Sequence, residues 1–292
     1  MRKRIAYIEF PSEYNKNTIE KRIDGLNIRF NTTIYSAVGN PSNTYIDVFN
    51  LNRSDVDYLA TSASTFLKRQ RFFRLYAGYE GDVNLMFSGQ ILEALPEGNP
   101  DVVLKIKGLS GLKWWGENVS VSKDNTNMLE LLQTAADEMG YTLDIDDNVR
   151  DNELLQRTKE TYSYTGSAMG LLTDIQNEIG GVTADEKSIY IVPENDTIHV
   201  YDPNKMNYKK VLLVNKYTGM IGIPAPTVAG CRVKILLNTS VRCGNMIDLV
   251  SERIPSINGK YFIISIEHQG EVRGKNWYTT LDCARWEVQN GK

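Results

Sequence analysis

The sequence predicts a β-rich α+β protein in which a small α/β segment separates two β-rich regions. Alternation of apolar and polar residues, the pattern of half-buried strands, recurs through residues 1–118 and again through residues 207–292. Apolar residues at helical spacing are concentrated in residues 119–206. We therefore expect three domains over 1–118, 119–206 and 207–292.

The first region is expected to be mainly strands around one helix. Strand-like alternation or β-rich composition covers five segments: Leu26–Ile34, Tyr45–Leu51, Phe72–Ala77, Val83–Leu92 and Val102–Lys107. Between the second and third segments, Ser54 offers a helix N-cap with Asp57 three residues later. Val56, Leu59 and Ala63 follow at helical spacing, which predicts a short helix there.

The middle segment contains a pattern that repeats after forty residues. An apolar helical stripe starts after Asn127, a candidate cap, and stops at Gly140. Ser167 and Gly180 bracket a second stripe of the same kind. Short strands are predicted after each glycine, at 141–145 and 188–192. The polar stretch 146–166 between the units is predicted to be a loop with little fixed core.

The last region returns to strands, with turns at Asn258–Gly259 and at Arg273–Gly274. The predicted strands are Val211–Val214, Val233–Leu237, Ile247–Val250, Tyr261–Glu267 and Trp277–Cys283. The two β-rich regions either flank the middle segment as separate domains or share one core across it.

Composition excludes several classes of protein. A net charge of −3 lacks the cationic excess that broad nucleic-acid binding needs. Cys231, Cys243 and Cys283 have no metal-site spacing, and Cys231 and Cys283 lie in apolar runs that indicate core packing. The chain has no apolar stretch long enough to span a membrane, and Glu9 interrupts the N-terminal apolar run too early for a signal peptide.

No pattern of residues indicates catalysis, so we predict no catalytic, cofactor-binding or metal-binding residue. His199 and His268 lack a neighbouring nucleophile motif, and structural roles are favoured for both. Residues 144–148 resemble the start of a calcium loop. Val149 and Leu155, however, stand where such a loop requires glycine and glutamate, so a polar loop is favoured.

Two aromatic clusters have a structural and a binding interpretation. Trp114–Trp115 could form a sugar platform, but a core position at a domain junction is favoured. Phe72 and Phe73 follow the basic residues Lys68, Arg69 and Arg71. A solvated helix end followed by a core strand is favoured there over an interaction surface.

Several motifs resemble phage baseplate hub proteins. The first β-rich region is similar to the first tube domain of that family, and the middle segment resembles the small inserted domain of late control protein D relatives. The end of the chain resembles the closing strands of the same family. The segments that carry the likeness are Ile46–Leu51, Arg74–Tyr79, Met86–Ile91, Leu129–Tyr141, Gly259–His268 and Trp277–Ala284.

The resemblance implies two tail-tube-like β-barrel domains with a small α/β insert domain between them. It also implies a non-enzymatic homotrimer whose six tube-like domains form a pseudo-six-fold ring. Such a ring would join a hexameric tail tube to a trimeric spike. Tail tube protein, spike protein and a tape measure protein are the implied partners, and DNA only passes through the lumen. The implied location is the virion tail baseplate, assembled in the host cytoplasm.

Two other functions remain open on the sequence. A plain tail-tube or distal tail protein, or the hub of a secretion machine, would belong to the same structural class. A glycan-binding or glycan-cleaving tail protein would instead present an exposed aromatic groove near Trp114, Trp115 or Trp277, or two converging carboxylates.

Overall fold

The computed structural model describes residues 2–12, 18–62, 71–98, 102–179, 189–202 and 211–286. Up to Leu109, its first β-rich region contains seven strands and one helix within those residues. These elements are β1 (Arg4–Pro11), β2 (Ile19–Ile23), β3 (Ile28–Tyr35), β4 (Asn43–Phe49), α1 (Arg53–Ser62), β5 (Phe72–Tyr79), β6 (Asp82–Glu97) and β7 (Val103–Leu109).

The middle segment and the last region follow in the order that the sequence predicts. After β7, the first region ends with α2 (Leu112–Gly116), and the middle comprises β8 (Asn118–Asn127), α3 (Met128–Met139), β9 (Thr142–Ile145), α4 (Asp147–Arg150), α5 (Glu153–Gln156), β10 (Thr158–Ser167), α6 (Ala168–Glu178), β11 (Tyr190–Glu194) and β12 (Thr197–Tyr201). The last region comprises β13 (Leu212–Val214), β14 (Met220–Pro226), β15 (Gly230–Leu236), β16 (Met246–Leu249), a 3₁₀ turn (Pro255–Ile257), β17 (Gly259–Glu271) and β18 (Trp277–Arg285). The β-rich α+β class is thus confirmed.

The two β-rich regions are joined in one sheet by an antiparallel pairing of β3 with β17. Residues 29–35 lie opposite residues 271–265 at this junction. The sheet runs β14-β15-β18-β17-β3-β4-β7-β6-β5-β1-β2, with β16 paired to β17 and β13 paired to β16. No pairing among the described strands closes either region, so the expected layout of two closed barrels is not confirmed.

Each β-rich region nevertheless has its own hydrophobic cluster. One cluster is built mainly from residues 6–106 and the other mainly from residues 214–283. Trp277 of the last region packs in the first cluster, and Ile34 of the first region packs in the second. Leu237 of the last region also packs in the first cluster, so the regions keep separate cores and exchange a few residues.

The strands of the two regions follow the same connectivity. In the first region the neighbours run β3-β4-β7-β6-β5-β1, and in the last they run β14-β15-β18-β17-β16-β13. The long strand of each set also carries a register shift, between Ile91 and Glu93 in β6 and between Ile263 and Ser265 in β17. One difference is that β1 pairs antiparallel with β5, whereas β13 pairs parallel with β16.

The forty-residue repeat of the middle segment is confirmed at its helices. Asn127 accepts a hydrogen bond from the Glu130 backbone N–H, and Ser167 accepts one from the Gly170 N–H, so both predicted caps are present. Gly140 ends α3 in the left-handed conformation (φ 62°) that favours glycine. Gly180, the second predicted stop, lies outside the described residues.

Two local predictions are wrong. The stretch 146–166 is not a loop with little core, because β10 pairs with β8 and Leu155 and Tyr162 are buried in the middle cluster. Its polar side chains face solvent on a two-stranded ribbon, which removes the apolar alternation that identifies strands. Helix α1 is capped by Asn52, whose Oδ1 accepts from the Asp55 N–H, and Ser54 lies inside the helix.

Candidate assembly interface

A buried pair of polar residues, which we call the Thr32–His268 rung, lies in the β3–β17 junction. Thr32 and His268 lie opposite each other, and both side chains are buried. The imidazole Nδ1 of His268 lies 2.9 Å from Oγ1 of Thr279. That oxygen also accepts a hydrogen bond from the Asn238 backbone N–H. Burial lowers the pKa of His268 to about 3, with a further contribution from the positive charge of Arg242. This histidine is a neutral structural residue, as the sequence favoured.

An aromatic contact crosses the same junction beside a glycine. Phe30 and Trp277 pack edge to face with ring centroids 5.4 Å apart. Gly270 lies opposite both residues in the sheet, and a Cβ there would come within 2.2 Å of the Phe30 ring. The absence of a side chain at Gly270 thus lets the two rings meet over the backbone.

Charged and amide groups pair along the exposed part of the junction. Arg29 binds Glu271 at 3.3 Å, and Asn31 donates to Glu267 at 2.9 Å. The hydrogen bond from Asn27 and the neighbouring Arg29 lower the pKa of Glu271. Side chains as well as backbone therefore tie the first region to the last.

The middle segment docks on the last region through β11 and β12. Tyr190 and Tyr201 stack with centroids 5.4 Å apart, and Tyr190 also packs against Phe262 of β17. The carboxylate of Glu194, which is 4% exposed, binds the Arg242 guanidinium at 2.5 Å. A buried charge with a single charged partner makes this contact sensitive to substitution.

Some of the exposed apolar side chains lie on strand edges that have no described partner. Leu92 and Leu95 of β6 are exposed, and so is Ile223 of β14. Val228, in the turn between β14 and β15, is fully exposed. Single exposed apolar residues are ordinary, but these lie next to backbone edges that no described strand covers. Strand β14 was not predicted, since its Gly222, Pro224 and Pro226 argue against a strand.

The aromatic residues considered for glycan binding are largely inside the molecule. Trp277 is buried, and Trp114 is buried against Tyr141 with ring centroids 6.3 Å apart. Trp115 is partly buried and packs on the middle cluster. These positions offer no exposed Trp groove, which confirms the core interpretation of Trp114.

Carboxylates do converge over the β3–β17 junction, but their chemistry is that of ion pairs. Asp47 and Glu271 both bind Arg29, each at 3.3 Å. A general acid of a glycosidase requires a raised pKa, whereas the pKa of Glu271 is lowered.

The remaining candidate residues have structural partners. His199 Nδ1 lies 2.9 Å from Asp144, and Val149 and Leu155 of the calcium-like segment are buried. Cys231 and Cys283 lie opposite each other in β15 and β18, both buried as predicted. In the described ranges, no three His, Cys, Asp or Glu side chains are grouped so as to hold a metal ion. The described helices also include none with the length and apolarity to cross a membrane.

The basic and aromatic segment at the start of β5 makes contacts within the chain where it is described. Arg71 stacks on Tyr58 at 4.1 Å and binds Glu20 at 3.1 Å. Phe73 is fully buried, while Phe72 is half-buried. The core-strand interpretation holds for these residues, and Lys68 and Arg69 lie outside the described residues.

Comparison with known proteins gives one family match and several similar folds. The family model described as baseplate hub gp41 matches residues 8–283. The 43 kDa tail protein of prophage MuSo2 from Shewanella oneidensis has a similar fold, with a TM-score of 0.64, 6% sequence identity and 98% of both chains covered. No curated protein matches the chain in sequence.

Two further solved structures share the fold. The tail protein from Neisseria meningitidis MC58 aligns with a TM-score of 0.63 and 8% identity over 97% of both chains. The E. coli c3393 protein aligns with a TM-score of 0.59 and 11% identity over 91% of this chain and 75% of that one. It is described as a component of the type VI secretion system with structural similarity to T4 bacteriophage tail proteins gp27 and gp5.

Proposed function

The chain belongs to the baseplate hub gp41 family and has a tail hub role, and from this we propose that three copies form a pseudo-six-fold ring joining a tail tube to a spike. The repeated strand order is the observation that carries the proposal. Two regions of equal connectivity, placed side by side by β3 and β17, supply two tube-like units per chain. Three chains then supply six units, which is the number that a six-fold tube presents.

The proposed roles of the three domains follow the three hydrophobic clusters. We assign residues 1–118 and 207–292 to the two tube-like domains and residues 119–206 to the insert, in line with the separate cores. The tube-like domains would line the channel and contact the tail tube and tape measure protein. The insert, anchored through Glu194 and Arg242, would contact the trimeric spike.

The ring requires no catalytic group. The paired state of His199, His268 and Glu271 supports a non-enzymatic role. The net charge of −3 suits a lumen along which DNA slides without binding. The family match supports a location in the virion tail, and assembly would take place in the host cytoplasm.

Light scattering on the purified protein across a range of concentrations tests the proposal. A ring of three 33.1 kDa chains has a mass of about 99 kDa. Electron micrographs of that species should show a ring with six peripheral lobes. A chain that stays monomeric at every concentration, and also in the presence of its tail tube and spike proteins, refutes the trimeric hub.

A further inference from the structure

Two strand edges have no partner among the described strands, although the equivalent edges in the other β-rich region, those of β3 and β17, pair with each other. On one of its edges, strand β17 pairs with β16 before its bulge and with β3 after it. The counterpart of β17 is β6, whose part beyond the bulge, Leu92–Glu97, pairs with β7 on one edge and with no described strand on the other. The counterpart of β3 is β14, which pairs with β15 alone among the described strands. We call these two edges the open edges.

Both open edges carry a proline that points outward. The Asn50 backbone N–H donates to the Val102 carbonyl, so the even-numbered residues of β7 face β4 and the odd-numbered ones face β6. The odd-numbered residues of β7 pair with Glu93, Leu95 and Glu97 of β6. The backbone of the intervening Pro96 therefore faces the open edge. In β14, Thr227 and Gly230 exchange both backbone hydrogen bonds, which turns the preceding Pro226 outward.

The two prolines occupy matching positions of the repeat. Pro96 follows the β6 bulge residue, Leu92, by four residues, just as His268 follows Ile264 in β17. Aligning the positions of β7 and β18 that lie opposite these bulges places Gly230 on Asn43, and hence Pro226 on Thr32. Thr32 and His268 face each other at the intrachain junction. By the same geometry, Pro96 would face Pro226.

We propose that the open edges of neighbouring copies face each other in this register, and that Pro96 and Pro226 prevent the contact from becoming a strand ladder. The proposal rests on the trimeric ring proposed above and names its chain-to-chain surface. Proline has no N–H, so the rung that Thr32 and His268 complete within a chain is missing from both sides between chains. The contact would instead be made by the exposed Leu92, Leu95, Ile223 and Val228. An uninterrupted open edge would template open-ended addition of copies, which a closed ring must avoid.

Cross-linking tests the register. The pair equivalent to Thr33 and Glu267 at the intrachain junction is Thr227 and Leu95 of neighbouring copies. Leu95→Cys with Thr227→Cys should be linked by a short bismaleimide into covalent dimers and trimers, since the three natural cysteines are buried. Mixing the two single variants should give dimers only. Glu93→Cys with Thr227→Cys, displaced by two residues, is the matched control and should link at least tenfold less.

Restoring the missing donors tests the role of the prolines. Pro96→Thr with Pro226→Thr should lower the concentration for half-maximal association at least tenfold and produce assemblies longer than trimers. Pro255→Thr, at an exposed position in the 3₁₀ turn, is the control for loss of a proline and should associate like the wild type.

The outcomes separate this inference from the ring itself. Trimers that form without the Leu95–Thr227 cross-link would overturn the open-edge contact and leave the hub proposal standing. Unchanged association of the double threonine variant would overturn the role of the prolines, whether the wild type is monomeric or trimeric. Absence of any ring from the wild type refutes the hub proposal by its own test.

Discussion

Lowering the pH is expected to destabilise the fold through His268. The side chain is 2% exposed, and its pKa falls from 6.5 to about 3 in the folded protein. The unfolded chain takes up a proton near pH 6.5, whereas the folded chain does so only near pH 3. Stability contributed by the neutral imidazole is therefore complete above pH 6.5 and is lost progressively as the pH falls toward 3.

The magnitude follows from proton linkage. One pKa unit corresponds to about 1.4 kcal/mol, so this histidine should cost about 1.4 kcal/mol at pH 5.5 and about 2.7 kcal/mol at pH 4.5. Urea unfolding at a series of pH values, for the wild type and for His268→Gln, measures the difference. The variant loses a hydrogen bond to Thr279 and should be less stable at pH 7.5, but its stability should fall less steeply with acid.

The control is the second histidine, which lies on the surface of the insert. His199→Gln removes an imidazole paired with Asp144 and should leave the extra acid sensitivity of the wild type in place. The wild type and His268→Gln differ only at that one side chain, so the difference between their pH profiles reports on His268. Parallel profiles for the wild type and His268→Gln between pH 7 and 4.5 would show that the imidazole is not held neutral by burial.

Three further predictions concern two contacts between the parts of the chain and one helix cap. Gly270→Ala should cost about 1–3 kcal/mol in thermal or urea unfolding through its clash with Phe30, and Phe30→Leu should recover part of that loss; additive losses would contradict the contact. Arg242→Met should lower the free energy of unfolding by about 1–3 kcal/mol, because it leaves the buried Glu194 carboxylate without its charged partner. The insert should also be cleaved faster in limited proteolysis. An unchanged digestion pattern would count against that anchor. Asn127→Ala should lower stability by about 1 kcal/mol in urea unfolding through loss of the helix cap, and a change below a few tenths would exclude the cap as a contributor.

Sequence patterns identified the parts of this fold whose signal is local. The caps Asn127 and Ser167 and the stop at Gly140 were correctly predicted, since capping depends on a side chain and the next turn of backbone. Buried strands such as β17 and β18 were found from apolar alternation. Their partners were not, because the pairing of β17 with β3 joins residues more than two hundred positions apart.

Elements with polar or proline-rich sequences escaped prediction for a physical reason. The strands β8 and β10 bury Val121 and Tyr162 and expose most other side chains, so they lack a continuous apolar face. Strand β14 contains Pro224 and Pro226, which are tolerated because its outer edge needs no donors within the chain. The features that hid β14 from sequence analysis are the same ones that make it a candidate for contact between chains.

The strength of the intrachain junction has a consequence for how a ring would come apart. Between β3 and β17 a backbone ladder, the Thr32–His268 rung and the Phe30–Trp277 contact act together. At the open edges, proline removes that rung from both sides. A ring of six units would therefore have three interfaces within chains, which separate only with local unfolding. Its three interfaces between chains would separate when side-chain contacts are lost. Conditions that dissociate the ring should leave each pair of units folded together. During dilution, light scattering should then show a loss of mass while circular dichroism shows no loss of strand signal. A simultaneous loss of both would show that the two kinds of interface are equally strong.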